Sequence, residues 1–197
     1  MGIKDQFTTV FEKIGTEFRR ISDGAVDYLD VELPKGVTWR GRFIRECSMR
    51  QDTLFSDGDV IQNTIDDKVY LISRSETELL LNEGIFKQGE LYFCNCSGQV
   101  AVPTRTRSTN METSVTFTTI VRDKYFCMVP QRLDVNEFGV VPSSVEEFFV
   151  YAPVSYNIEQ GYRIQTISPF VQNYKVKSVD KYSKNNIVIA NVEKDSR

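Results

Sequence analysis

Apolar residues at Phe7, Val10, Phe11, Ile14, Phe18 and Ile21 recur at steps of three and four, the spacing of one stripe on a helix. The pattern predicts a helix over residues 6–21. Asp5 suits its start, Arg19 and Arg20 suit the negative end of its dipole, and Asp23-Gly24 suits its stop. Three phenylalanines make the stripe strongly apolar. Two uses compete for it: packing on its own domain, or docking as an arm onto a partner, with Phe7, Phe11, Ile14 and Phe18 as the contact residues.

From residue 37 the period changes to two, which predicts strands. Val37 to Arg45 alternates, with Trp39, Gly41 and Phe43 on one face and Arg40 and Arg42 on the other. Asp59–Ile65 and Lys68–Ser73 flank Asp66-Asp67 and read as a hairpin. Ser75 with Glu78 three residues on is a capping-box signature, which predicts a short helix there. Strands resume at 91–96, 99–102, 115–121 and 125–129. Residues 143–149 fit a short capped helix or a strand equally. The last third reads as hairpins over 162–167, 170–179 and 187–192, with Lys184-Asn185-Asn186 as the final turn. Pro103 to Ser114 is polar and aperiodic, the pattern of an exposed, flexible loop at 103–114.

No repeat and no Pro/Gly linker divides the chain. The expected fold is therefore mainly β, a small β-barrel or sandwich of about ten short strands with an N-terminal amphipathic helix and long loops. The expected domains are a helical arm at 1–30 and one barrel-like domain at 31–197. A chain of 197 residues can bury roughly 70% of its unfolded surface, so neither disulfide nor structural metal is needed.

Composition removes whole classes of chemistry. The sequence holds no histidine, so Ser-His-Asp and Cys-His catalysis, HExxH metalloprotease sites and imidazole–zinc sites are excluded. The acidic pairs Asp66-Asp67 and Glu146-Glu147 are adjacent, a spacing that does not bring two carboxylates to one substrate. The 11 glycines are dispersed and form no phosphate loop. These features predict a protein that is not an enzyme and takes no cofactor. A net charge of −3 argues against coating duplex nucleic acid, and the basic residues Arg105 and Arg107 are a local feature. Cys94-Asn-Cys96 places two thiols on one face of a strand; as zinc ligands they would need Cys47 and Cys127 from elsewhere, whereas buried free cysteine commonly serves as a small hydrophobe. The N-terminal segment is amphipathic rather than continuously apolar, and no apolar run approaches the ~20 residues that span a bilayer, so a soluble chain without membrane partners is expected.

The order Gly58-Asp-Val-Ile, Lys68-Val-Tyr-Leu-Ile and Tyr92-Phe-Cys-Asn95 resembles neck proteins of tailed bacteriophages, the head-closure or stopper proteins of the head-to-tail connector. So does the terminal Tyr174-Lys-Val-Lys-Ser-Val-Asp180, Ile187-Val-Ile and Lys194-Asp-Ser-Arg197. The likeness leaves the N-terminal helix and residues 130–160 unmatched. It implies a structural virion protein, assembled in the host cytoplasm, whose subunits form a homo-oligomeric ring that joins portal to tail and helps retain DNA. It also implies portal or adaptor and tail proteins as partners, with the 103–114 loop toward the channel, where Arg105 and Arg107 would meet packaged DNA or a neighbouring subunit. The helix would then dock on an adjacent ring. A binding module of β-barrel type on the tail, baseplate or capsid surface is the alternative.

Overall fold

The computed structural model describes residues 3–32, 43–80, 83–107, 113–131 and 147–195. Among them lie one α-helix, α1 (Ile3–Ile14), a 3-10 turn at Val154–Tyr156, and twelve strands: β1 (Thr16–Arg20), β2 (Val26–Val31), β3 (Ile44–Arg50), β4 (Val60–Asn63), β5 (Val69–Leu80), β6 (Glu83–Phe93), β7 (Cys96–Arg107), β8 (Thr113–Pro130), β9 (Glu147–Pro153), β10 (Arg163–Ser168), β11 (Gln172–Asp180) and β12 (Ile187–Lys194). The expectation of a mainly β chain with an N-terminal helix and a closed barrel holds. What the sequence does not announce is that there are two barrels. One compact unit comprises residues 1–94 with 184–187, the other residues 95–183 with 188–197.

Barrel one closes in the order β1-β2-β3-β6-β5-β4, with β4 returning to β1 through Phe18↔Asn63 and Arg20↔Ile61. Its core is Phe18, Leu29, Cys47, Met49, Phe55, Ile61, Tyr70, Ile72 and Leu91. The period of two does the sorting: along β3, Cys47 and Met49 face in while Glu46 and Ser48 do not. Phe18 packs edge-on against Tyr70 at 6.0 Å between ring centroids. The hairpin expected around Asp66-Asp67 forms between β4 and β5. Asn63 N–H donates to Lys68 O (2.9 Å), and Asp67 takes the left-handed conformation at φ 56° that short polar residues tolerate best.

Barrel two closes in the order β10-β11-β12-β9-β8-β7. It is filled by Val100, Phe126, Val150, Ile164, Tyr174, Val176, Ala190 and Val192 among others. Numbering each barrel's strands one to six in chain order, the neighbours are 1-2, 2-3, 3-6, 6-5, 5-4 and 4-1 in both. Each is thus a Greek key, with the fourth strand lying beside the first, closed by a further hairpin. The topology is repeated although the residues are not.

The first barrel ends at Cys94, whose N–H donates to Val69 O (2.9 Å). The second begins at Asn95, whose side chain donates to Met128 O and accepts from Met128 N–H, both at 2.8 Å. No proline or glycine marks that boundary; where one domain over 31–197 was expected, the chain divides into two compact units.

Three further expectations are corrected. The helix ends at Ile14, not near 21, because Gly15 follows: its N–H donates to Phe11 O, and a Cβ there would come within 2.5 Å of that oxygen. Residues 16–31 then supply β1 and β2, so residues 1–30 are not an arm. The capping-box segment at 75–78 lies in β5, where pairing with β6 overrides a local helical signal. The loop at 103–114 is mostly hairpin, since 103–107 belong to β7 and 113–114 to β8; residues 108–112 lie outside the described set, as do Trp39 and the 143–146 portion of the ambiguous segment, whose remainder is β9.

Candidate functional site

The most distinctive feature is the β7–β8 hairpin. Its strands have 12 and 18 residues, twice the usual length or more. At about 3.4 Å per residue, β7 alone is roughly 40 Å long. β10 pairs only with residues 97–101 of β7, and β9 pairs only with residues 127–130 of β8. Beyond those contacts the hairpin continues as a two-stranded ribbon, regular from Ala101↔Thr119 to Arg107↔Thr113. Thr104, Arg105, Thr106, Ser114, Val115 and Thr116 are exposed along it. One aromatic is held at its base: the Phe117 ring lies 3.4 Å below the Arg163 guanidinium, which is also paired with Asp195 at 2.8 Å.

Arg105 therefore stands in solvent on a strand, not on a loop, opposite Val115. Arg107 pairs with Thr113 through its backbone, and its side chain lies outside the described set. The sequence put Arg105 in solvent, where it is found, but missed the ribbon that carries both arginines. The available signal was the Thr- and Val-rich composition on both sides of the tip.

The proposed contact residues of the N-terminal stripe come apart. Phe11 is buried, and α1 packs against β2, β3 and β6 of barrel one. Phe18 is buried inside that barrel, on β1. Neither is available to a partner, and the docking arm is corrected to a helix packed in cis. Ile14 remains 67% exposed, and the side chain of Phe7 lies outside the described set.

All four cysteines are buried, free thiols. Burial pushes Cys47 and Cys96 up to about 12, and Cys127 is raised by the same cause. β6 ends at Phe93 and β7 begins at Cys96, so Cys94 and Cys96 do not share a strand. Among the described residues no three of His, Cys, Asp or Glu gather as a metal-holding group. A thiolate is the reactive species, so native protein is expected to react negligibly with a disulfide reagent such as DTNB near neutral pH. The same protein in denaturant should release four equivalents, one for each thiol. Rapid labelling of the native form would contradict the burial.

An open groove of about 530 Å³ lies on the outer face of barrel two. Phe149, Tyr151, Ile189 and Asn191 supply much of its lining. The Asn191 Oδ1 is buried and accepts no hydrogen bond from the described residues. The carboxylate at its rim, Asp180, is already engaged. It accepts from the Ser183 hydroxyl and from Tyr182 and Ser183 N–H, which hold it below the ordinary carboxylate range. The groove has an aromatic floor and amide groups but no acid–base pair.

Searches of protein families, curated proteins and solved structures find no match to this chain. No helix among the described residues is long and apolar enough to cross a membrane. Apolar side chains cluster in water where β10 turns into β11, with Ile167 near the end of β10 and Phe170 and Val171 just beyond it exposed.

Proposed function

We propose that this protein is a structural, non-enzymatic part of a tailed-phage neck, a homo-oligomeric ring that joins portal to tail and helps retain DNA. The observation that carries the reading is the β7–β8 ribbon. A two-stranded ribbon wetted on both faces is marginal by itself. One that extends well past its barrel is supported best by a neighbour that covers it. Arg105 on that ribbon suits contact with a neighbouring subunit or with DNA phosphates, where a guanidinium positions without reading sequence. Both barrels suit a part whose work is done at interfaces, because closure leaves few other sheet edges to manage.

Light scattering and negative-stain imaging of the purified protein, alone and with portal and tail proteins, test this. Rings are expected, alone or once those partners are added. A permanent monomer that binds glycan would overturn the ring and favour a second reading. That reading is a binding module on the tail, baseplate or capsid surface. The groove on barrel two supports it, since Phe149 and Tyr151 offer stacking surfaces beside the open acceptor of Asn191.

A further inference from the structure

We infer that the outer edge of β8 over Thr113–Thr119 pairs antiparallel with the same edge of a second copy of this chain, centred on Thr116. Among the described residues the edge is open, because β8 is bonded to β7 on one side and meets β9 only from Cys127 onward. Every second residue along it presents backbone N–H and C=O groups to solvent, the arrangement that recruits another strand.

Among the described residues, the open edges of β7, of β8 past Thr119 and of β5 carry guards that this one lacks. The outer edge of β7 carries Pro103, which has no N–H to offer, together with Arg105 and Arg107. β8 itself is guarded past Thr119. Its register with β7 shifts there, Asp123 adopts φ 51°, and Arg122-Asp123-Lys124 put charge on the strand. In the other long hairpin, β5 breaks register twice and includes Arg74, Glu76 and Glu78. Between 113 and 119 the sequence is Thr-Ser-Val-Thr-Phe-Thr-Thr, with no charge, no proline and no shift in register.

Self-complementarity identifies the occupant. Two copies of one edge meet about a two-fold axis. With the axis at Thr116, Ser114 faces the second copy's Thr118, Val115 faces its Phe117, and Thr116 faces itself. Hydroxyl-bearing pairs and aromatic with β-branched pairs are the cross-strand combinations that stabilise a sheet. The product is a four-stranded sheet, β7-β8 with its two-fold mate, in place of two wet ribbons. Such a contact closes on itself. It accounts for a two-fold pair; a ring needs a second contact, for which the β7 side of the ribbon with Arg105 is left free by this pairing, so the two proposals fail separately.

Engineered cysteines read the register. Residues directly opposite have Cβ atoms about 5 Å apart, while two Ser114 residues would lie about 13 Å apart. Under mild oxidation, Thr116→Cys is expected to give a covalent dimer on a non-reducing gel. Ser114→Cys and Thr118→Cys should each stay monomeric on that gel, and the double variant should cross-link. The four native thiols are buried and do not compete. Light scattering should show wild type as a dimer or a larger assembly of dimers, and Thr116→Lys at half that mass with unchanged circular dichroism, because position 116 is exposed in the single chain. A monomeric wild type, Thr116→Lys at the wild-type mass, or cross-linking of Ser114→Cys as readily as Thr116→Cys would overturn the inference. None of these measurements requires portal or tail proteins, so their outcome does not depend on the neck reading.

Discussion

Phe126→Ala is expected to destabilise barrel two by about 3–5 kcal/mol, the cost of emptying a large buried aromatic site. Phe126 is fully buried on β8 and meets Tyr156 edge-on, with ring centroids 5.6 Å apart. Val100, Val150, Ile164 and Val188 belong to the same core. All of them but Tyr156 sit on strands whose hydrogen-bonded neighbours fix their positions, and a closed sheet has little freedom to collapse into a void. The transfer and cavity contributions should therefore both be felt. Urea titration followed by near-ultraviolet circular dichroism measures the loss. Phe126→Leu keeps much of the volume and should lose markedly less. A loss under about 1 kcal/mol for the alanine variant would mean that the barrel interior relaxes freely, contrary to close packing.

The strands were legible because the period of two survives wherever one face is buried, as at Cys47 and Met49 or Ile164 and Thr166. Errors arose where two periods coincide. Phe18 and Ile21 continue the spacing of Phe11 and Ile14, yet Gly15 ends the helix, and Phe18 is inward for a strand's reason. The segment after Ser75 shows a different conflict: its capping signal is local, whereas its partner β6 is supplied by the hairpin. The two barrels escaped because a topology needs alternation and turns at the right intervals, not repeated residues. Nothing at Cys94-Asn95 differs from an ordinary strand connection, although the Asn95 side chain already pairs with the Met128 backbone of the second barrel.

The candidate site was legible in composition but not in shape. Arginines at 105 and 107 flanked by threonines signalled an exposed polar segment, and polarity in such segments usually means a loop. Here threonine and valine serve a strand with two wet faces, where β-branching suits the backbone and hydroxyls suit water. The undefended edge joins Thr113-Ser114, which the sequence put in the loop, to residues 115–119, which it put in a strand. A signal that is weak for secondary structure is strong for association, because uncharged β-formers on an open edge invite a further strand.

Asp27→Ala should cost barrel one about 3–5 kcal/mol, the range for removing one member of a buried charged network. Asp27 is 1% exposed and sits at an inward position of β2, where the alternation calls for an apolar residue. Its carboxylate repays the burial by organising the segment after β3. Oδ2 accepts from the Thr53 hydroxyl at 2.8 Å and from Leu54 N–H at 2.9 Å, while Oδ1 accepts from Tyr28 N–H at 2.8 Å. Arg50 Nε lies 3.3 Å from Oδ1 as an ion pair without hydrogen-bond alignment. Truncation would leave two backbone donors and a hydroxyl without this acceptor and take one carboxylate from Arg50, beside Phe55, which is fully buried in the core. Asp27→Asn keeps the shape but replaces one acceptor oxygen by a donor amide, so about half of the loss should remain. Because the pair is buried, salt screens it weakly, and the destabilisation should be similar in 0.1 and 1 M salt at about the same precision. Thr53→Val alone should cost about 1 kcal/mol. Combined with Asp27→Ala it should cost distinctly less than the sum, since the first change already breaks the shared bond. Strict additivity in that cycle, measured by urea denaturation, would show that Asp27 acts through something other than its hold on Thr53.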